Sequence, residues 1–318
     1  MIDPIAIRVL PKKEGEPYAS FSLYIPAGDG YVAEYRFLYV QCEKNPALSY
    51  EAGPNDPANS ALYRIREAYV GRMTDGVFFP LFRALQGGEI AFALREMGAG
   101  DFVGGYHGDE VLSEVFLVAD GKQVSLSTPA YLTANEVTFF SDSVVFRCNT
   151  PATPLLRHRQ TYTVKGECLM AAHSLLWLTD SNPLQAAFLP MLTAQRLDPA
   201  DPARILTDTV EFLAVPGGES VGCYDTTAYG LEKTEADPPA PRAVGTAVRV
   251  FGRESGFTAE AGILPRTPLP GGQVEMHVWP RFGHDYDSKI YFEVGGKTAP
   301  EKGTLLEADV YYRLTYRP

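Results

Sequence analysis

From residue 111 to the C-terminus the sequence reads as one short strand after another, and this pattern restricts the fold more than any other feature. Alternating runs fall at 111–118, 124–126, 136–140, 143–148, 157–164, 169–177 and 184–192, with Asp120-Gly121 and Lys165-Gly166 as turns. Two weaker runs lie near 209–215 and 220–226. Alternation resumes at 246–252, 256–263, 273–280, 289–294 and 305–316, the last after a Lys302-Gly303 turn. The stretch 235–241 is a stiff proline-rich connector, because strands resume directly after it. Upstream, two aromatic runs at 18–25 and 31–40 flank a Pro-Ala-Gly-Asp-Gly turn and predict a hairpin. Strands at this spacing predict an all-β protein, a large antiparallel sandwich of two packed sheets, formed as a single domain over 1–318.

One interval breaks the pattern. Residues 44–60 read as a long loop, and 61–83 mix Arg, Glu, Tyr and apolar residues without a clear period. Leu81, Leu85, Ile90, Leu94 and Met97 fall near helical spacing, so one or two short helices are expected near residues 61–97. Gly87-Gly88 weakens the middle and also allows a helix followed by a strand.

Composition narrows the function classes. The 318 residues include 18 Tyr, 17 Phe, 29 Gly and 25 Pro, a balance that suits strands, turns and aromatic platforms for sugar rings. The net charge of −11, with no Lys/Arg block, argues against nucleic acid and against an anionic membrane surface. An acidic oligo- or polysaccharide remains compatible, since a local arginine cluster binds carboxylates inside an acidic protein. Cys42, Cys148, Cys168 and Cys223 show no metal-ligand spacing and read as buried thiols, with Cys148 and Cys168 as the one pair that could face each other. The N-terminus has no basic and apolar leader and no stretch is long enough to span a bilayer, so a soluble cytoplasmic, phage-borne or mature secreted protein is expected.

Two stretches resemble a known family. Arg159-Gln-Thr-Tyr-Thr-Val-Lys-Gly-Glu-Cys-Leu-Met170 is followed by Ala171-Ala-His-Ser-Leu-Leu-Trp177 and Asn182-Pro183. Lys289-Ile-Tyr-Phe292 precedes Glu301-Lys-Gly-Thr-Leu-Leu-Glu-Ala-Asp-Val-Tyr-Tyr-Arg-Leu-Thr-Tyr316. These resemble the hairpins of galactose-mutarotase-like supersandwich proteins over about half the chain. The resemblance implies a carbohydrate link, shared with sugar epimerases and the sheet domains of polysaccharide lyases. It gives His173 as counterpart of the family's catalytic acid, while the Pro-Tyr-Phe-Asn context is absent and no C-terminal Glu matches the base.

Candidate chemistry concentrates in the decapeptide 101–110, where glycines surround Tyr106, His107, Asp109 and Glu110. Tyr106 and His107 suit proton removal and return in β-elimination of a uronate, with Glu110 as a substrate contact. The alternative is a bend whose Tyr and His bond the backbone. Arg157 and Arg159 share one strand face and could grip a carboxylate, while His158 and Gln160 take the other. The alternative there is a solvated face with a cross-strand ion pair. A third segment holds His277, Trp279 as a stacking platform, His284, Asp285, Asp287, Lys289 and Tyr291. His173, between Ala172 and Ser174 in an apolar strand, reads more readily as a satisfied core histidine. No cofactor is expected; a divalent cation on acidic loops, drawing on His107, Asp109, His284 and Asp285, is the open exception. Nucleotide-binding, zinc-protease, serine-hydrolase and EF-hand motifs are absent.

The sequence thus favours a polysaccharide lyase: Tyr106, His107, Arg157 and Arg159 catalytic, and Glu110, His158, His173, Trp279, His284 and Tyr291 binding substrate. The rivals are a non-catalytic sugar-binding or phage-surface module, and an epimerase or hydrolase using paired carboxylates such as Glu110 with Asp285. Oligomeric state is not legible.

Overall fold

The computed structural model describes residues 5–42, 60–86, 92–148, 150–228, 240–282 and 287–318. The first strands are β1 (Ile5–Val9), β2 (Phe21–Pro26), β3 (Val32–Cys42), β4 (Ser60–Thr74), β5 (Val77–Leu85) and β6 (Ala93–Glu96). A 3-10 turn at Gly105–His107 leads into β7 (Glu110–Ala119), β8 (Lys122–Val124), β9 (Ala130–Ala134) and β10 (Val137–Arg147). The long strands β11 (Thr150–Lys165), β12 (Cys168–Trp177) and β13 (Leu184–Gln195) follow. Next come β14 (Leu197–Asp198), β15 (Asp201–Ile205), β16 (Thr209–Leu213) and β17 (Ser220–Asp225). The last are β18 (Arg242–Val244), β19 (Ala247–Phe251), β20 (Phe257–Pro265), β21 (Glu275–Phe282), β22 (Asp287–Glu293) and β23 (Leu305–Tyr316).

Their pairings resolve into two layers. Layer one runs β9-β1-β2-β3-β4-β5-β13-β22-β21-β18, with β6 sharing an edge of β13 with β5. Layer two runs β8-β7-β10-β11-β12-β23-β20-β19-β16-β17. A single parallel bridge, Ala61 to Val111, ties β4 to β7 and so one layer to the other. The β14–β15 pair stands apart.

The layers pack face to face because strands such as β12 and β23 alternate buried and more exposed positions, and the apolar set of one layer meets that of the other. Phe21 and Phe37 of layer one lie 4.8 and 5.3 Å from Phe139 of layer two, and Phe37 lies 5.2 Å from Tyr162. At the far end Phe82 meets Phe257 at 5.1 Å. Each such edge-on contact contributes about 0.5–1.5 kcal/mol beyond its buried area. The chain is all-β and forms the sandwich expected from its strand spacing.

The described residues of the interval 61–97 hold none of the expected helices. Among the described residues this interval holds β4, β5 and β6. The expected helical seam dissolves because Leu85 and Leu94 are buried while Leu81 and Met97 are 45% and 61% exposed. Arg66 is an extra residue of β4 opposite β3, and Leu81 and Ala84 are extra residues of β5 opposite β4, which breaks the period-two pattern of both strands and explains why the stretch looked irregular. Asp75-Gly76, with φ of 49° and 75°, closes the β4–β5 hairpin. Gly87, Gly88 and Ile90 lie outside the described residues, as do most of the proline-rich connector and all of the expected loop at 44–60 except Ser60, which opens β4.

Cys148, Cys168 and Cys223 form no disulfide. They are less buried than expected: Cys223 is exposed and the other two are half-buried. No described helix is long and apolar enough to cross a membrane.

Candidate functional site

The glycine-rich segment 101–110 is a tight reversal that sends its side chains in two directions. Gly104, Gly105 and Gly108 have φ of 90°, 53° and 76°, and Asp109 has 51°. A Cβ on Gly104 would come within 2.8 Å of the Phe92 ring, so the turn needs glycine there for space as well as for its dihedral angle. The Gly104 amide donates to Gly108 O at 2.8 Å and closes the reversal. Tyr106 and His107 stay half-buried on one side, while Glu110 enters the interior.

On the first side, His107 joins a ribbon of rings along the outer face of layer one. It lies 5.0 Å from Phe102, which lies 5.7 Å from Phe188 on β13. Phe188 meets Tyr291 on β22 at 4.6 Å, and Tyr291 meets His277 on β21 at 5.5 Å. The alternation that puts Ile290, Phe292, Met276 and Val278 into the core puts Lys289, Tyr291, His277 and Trp279 on the outer face. Lys289 Nζ sits 4.9 Å from the Tyr291 ring centre, in register with Thr193 on one side and Trp279 on the other. Lys289 is only 4% exposed, whereas Trp279 is 54% exposed. At the other end Arg64 of β4 lies over the Tyr106 ring at 4.9 Å and donates to Tyr106 O at 3.4 Å. Further along the face, Arg83 Nε donates to Gln195 Oε1 at 3.1 Å, and Gln86 donates to Asp287.

Burial tunes these groups. Loss of hydration brings the Lys289 ammonium down to about 7 and pushes the Tyr291 phenol up to about 12. Burial also lowers His107; Asp101, 3.8 Å away, opposes this and Arg64 adds to it. His277 is lowered by burial and by Arg242, against Glu275. The ribbon therefore combines an amine poised near neutrality, imidazoles biased toward the uncharged form and an open indole.

On the second side lies a polar chain sealed between the layers. Glu110 Oε2 accepts from the Gly105 amide at 2.7 Å, and Oε1 accepts from Ser143 Oγ. His158 Nδ1 is 3.0 Å from Glu110 Oε1, and His158 Nε2 is 3.0 Å from His173 Nδ1. Gln160 extends the chain at 3.4 Å from His158 Nδ1, and Tyr162 donates to Gln160 at 2.8 Å. Both imidazoles are 0% exposed. Burial alone would raise the Glu110 carboxyl, yet the charge and hydrogen bond of His158, with those of Ser143 and Gly105, hold it below the usual carboxylate value. Burial, then His158, keeps His173 well below the usual imidazole value.

The residues proposed from sequence therefore divide. Tyr106, His107, Trp279 and Tyr291 share the outer face of layer one. Glu110, His158 and His173 meet one another in the interior, out of reach of a glycan. Arg157 and Arg159 point from β11 away from both, on the outer face of layer two, where both bond Asp142. Adjacent His158 faces the core, so strand alternation puts the guanidiniums on the opposite side of the sandwich from His107. His284 and Asp285 lie outside the described residues. No metal-binding cluster of three or more His, Cys, Asp or Glu occurs among the described residues. Phe102, Phe188 and Arg64 were not singled out from sequence, because nothing local to them marks the ribbon they complete. Lys289 carried a usable signal: a lysine within the apolar alternation of β22.

No protein-family model matches the chain, and no curated protein matches it in sequence. Among solved structures it is similar to a GH36 alpha-galactosidase of Geobacillus stearothermophilus, at 10% identity and a TM-score of 0.43 over 98% of this chain. The chain spans 40% of that enzyme's length. It is also similar to a galactose 1-epimerase of Lactobacillus acidophilus, at 11% identity and a TM-score of 0.36 over 99% of both chains. The Slr1438 protein of Synechocystis gives 8% identity and a TM-score of 0.37, over 97% of this chain and all of that one. The fold itself is defined by the ladders described above.

Proposed function

We propose that this protein is a carbohydrate-active enzyme whose site is the outer face of layer one, where β13, β22 and β21 adjoin the 101–110 turn. The observation that carries this reading is Lys289: a nearly buried amine under Tyr291, one strand from the open indole of Trp279. An indole platform suits the C–H face of a sugar ring, and an amine near neutrality can accept and return a proton at pH 7. Elimination from a uronate fits these parts. Lys289 in its uncharged form takes the proton α to the carboxylate, and a phenol on the same face, Tyr106 or Tyr291, returns one to the leaving oxygen. Arg64 and Arg83, on that face, replace Arg157 and Arg159 as candidates to offset the uronate charge.

A non-catalytic glycan-binding module is the second reading, favoured by the exposure of Trp279 and the length of the ring ribbon. Paired-carboxylate hydrolysis or epimerisation through Glu110 loses support, because that carboxylate is sealed in the interior. The test is incubation with a panel of uronate-containing polysaccharides, followed by ultraviolet absorbance of unsaturated ends. Product with the unaltered protein, lost in Lys289→Met, is expected. Binding without product selects the module; reducing ends without the chromophore select hydrolysis. Neither binding nor product across the panel removes the carbohydrate reading.

A further inference from the structure

The interior chain of polar groups has no part in the chemistry above, yet it begins at the turn that presents Tyr106 and His107. We propose that Glu110 is a positioning residue that acts as a proton-sensitive latch on this turn, closed when it is a carboxylate and loosened when it is protonated. Its relevance to activity rests on the carbohydrate reading; the latch itself does not.

The geometry supports the latch at both ends. At the turn, Glu110 Oε2 is bonded by the Gly105 amide, in the middle of the reversal. In the core, Ser143 of β10 and His158 of β11 hold Oε1, and His173 of β12 backs His158. The titratable groups facing this chain are His158, His173 and the Tyr162 phenol, which itself feels the Glu110 charge. Hydrogen bonds to an ionised carboxylate are about twice as strong as neutral ones. Protonating Glu110 therefore weakens its three bonds together and removes its attraction for His158. A neighbouring pair of amides provides an internal control: Leu94 and Val103 bond each other reciprocally at 3.0 and 2.8 Å, next to the turn but without Glu110.

Amide hydrogen exchange on the full chain, followed by NMR, tests the latch. In the unaltered protein, lowering the pH should reduce Gly105 protection before that of Leu94 and Val103. In Glu110→Met, which keeps length but removes the acceptor, Gly105 protection at pH 7 should fall about tenfold or more, with Leu94 and Val103 unchanged. If that variant does not fold, Ser143→Ala should raise the pH at which Gly105 opens in an otherwise native protein. Gly105 protection that is indifferent to pH, or that changes only in step with Leu94 and Val103, overturns the proposal. These readouts stand whether or not any glycan is turned over, so the two proposals fail separately.

Discussion

His158 with His173, and His107 with His277, are the same side chains in two opposite settings. The first pair is enclosed between the layers, and its partners are fixed protein groups: a carboxylate, a side-chain amide and each other. The second pair lies on a sheet face among rings, beside an exposed indole and a poised amine. What separates a structural imidazole from one available for chemistry is which way its strand or turn faces, and that depends on the whole sandwich.

The sharpest way to break this contrast is to treat the interior group as if it were a surface one. Glu110→Ala should cost about 3–5 kcal/mol in urea unfolding at pH 7, because it removes the carboxylate partner of His158 Nδ1, Ser143 Oγ and the Gly105 amide in a dry core. Glu110 is held below its usual value, so its contribution is complete above the unfolded carboxylate range and is lost as pH falls through the folded value. A variant without it should show a flatter acid limb in stability against pH.

Lys289 should behave in the opposite sense. Its folded value near 7 lies below the ordinary 10.5, so burying it opposes folding most below pH 7, and this penalty fades toward pH 10.5. Lys289→Met should therefore raise neutral-pH stability by about 1–3 kcal/mol while abolishing product. Equal or lower stability would show that its surroundings favour the charge.

Trp279→Ala should weaken glycan binding about tenfold, read by calorimetry, with unfolding changed by less than about 0.5 kcal/mol. Arg157→Gln should do least: about 1 kcal/mol or less in stability and no change in product, since its exposed guanidinium bonds Asp142, which retains Arg159, and otherwise feels Glu114. A large loss of product in this variant would move the site to layer two.

Most of the fold was readable because its cues are local. The 18–40 hairpin, the Asp120-Gly121 turn and the terminal run 305–316 follow from alternation and turn chemistry alone. The misreading at 61–97 arose because bulges in β4 and β5 disrupted alternation, even though Asp75-Gly76 offered a plain hairpin signal. Sites fared less well. The turn at 101–110 was visible through its glycines, and the opposed faces of Arg157 and His158 were visible through parity. Which face met the other layer was not, because that depends on pairing β11 with β10 and β12 and on packing across the sandwich.

The position of β23 has a consequence for how the molecule can be made. It lies between β12, which pairs with Leu305–Arg313, and β20, which pairs with Ala308–Tyr316, the only bridge between the two halves of layer two among the described ladders. Layer two cannot be completed before this strand is in place. Without it, two long strand edges would lack the same neighbour, and a product missing β23 would carry them as sticky borders.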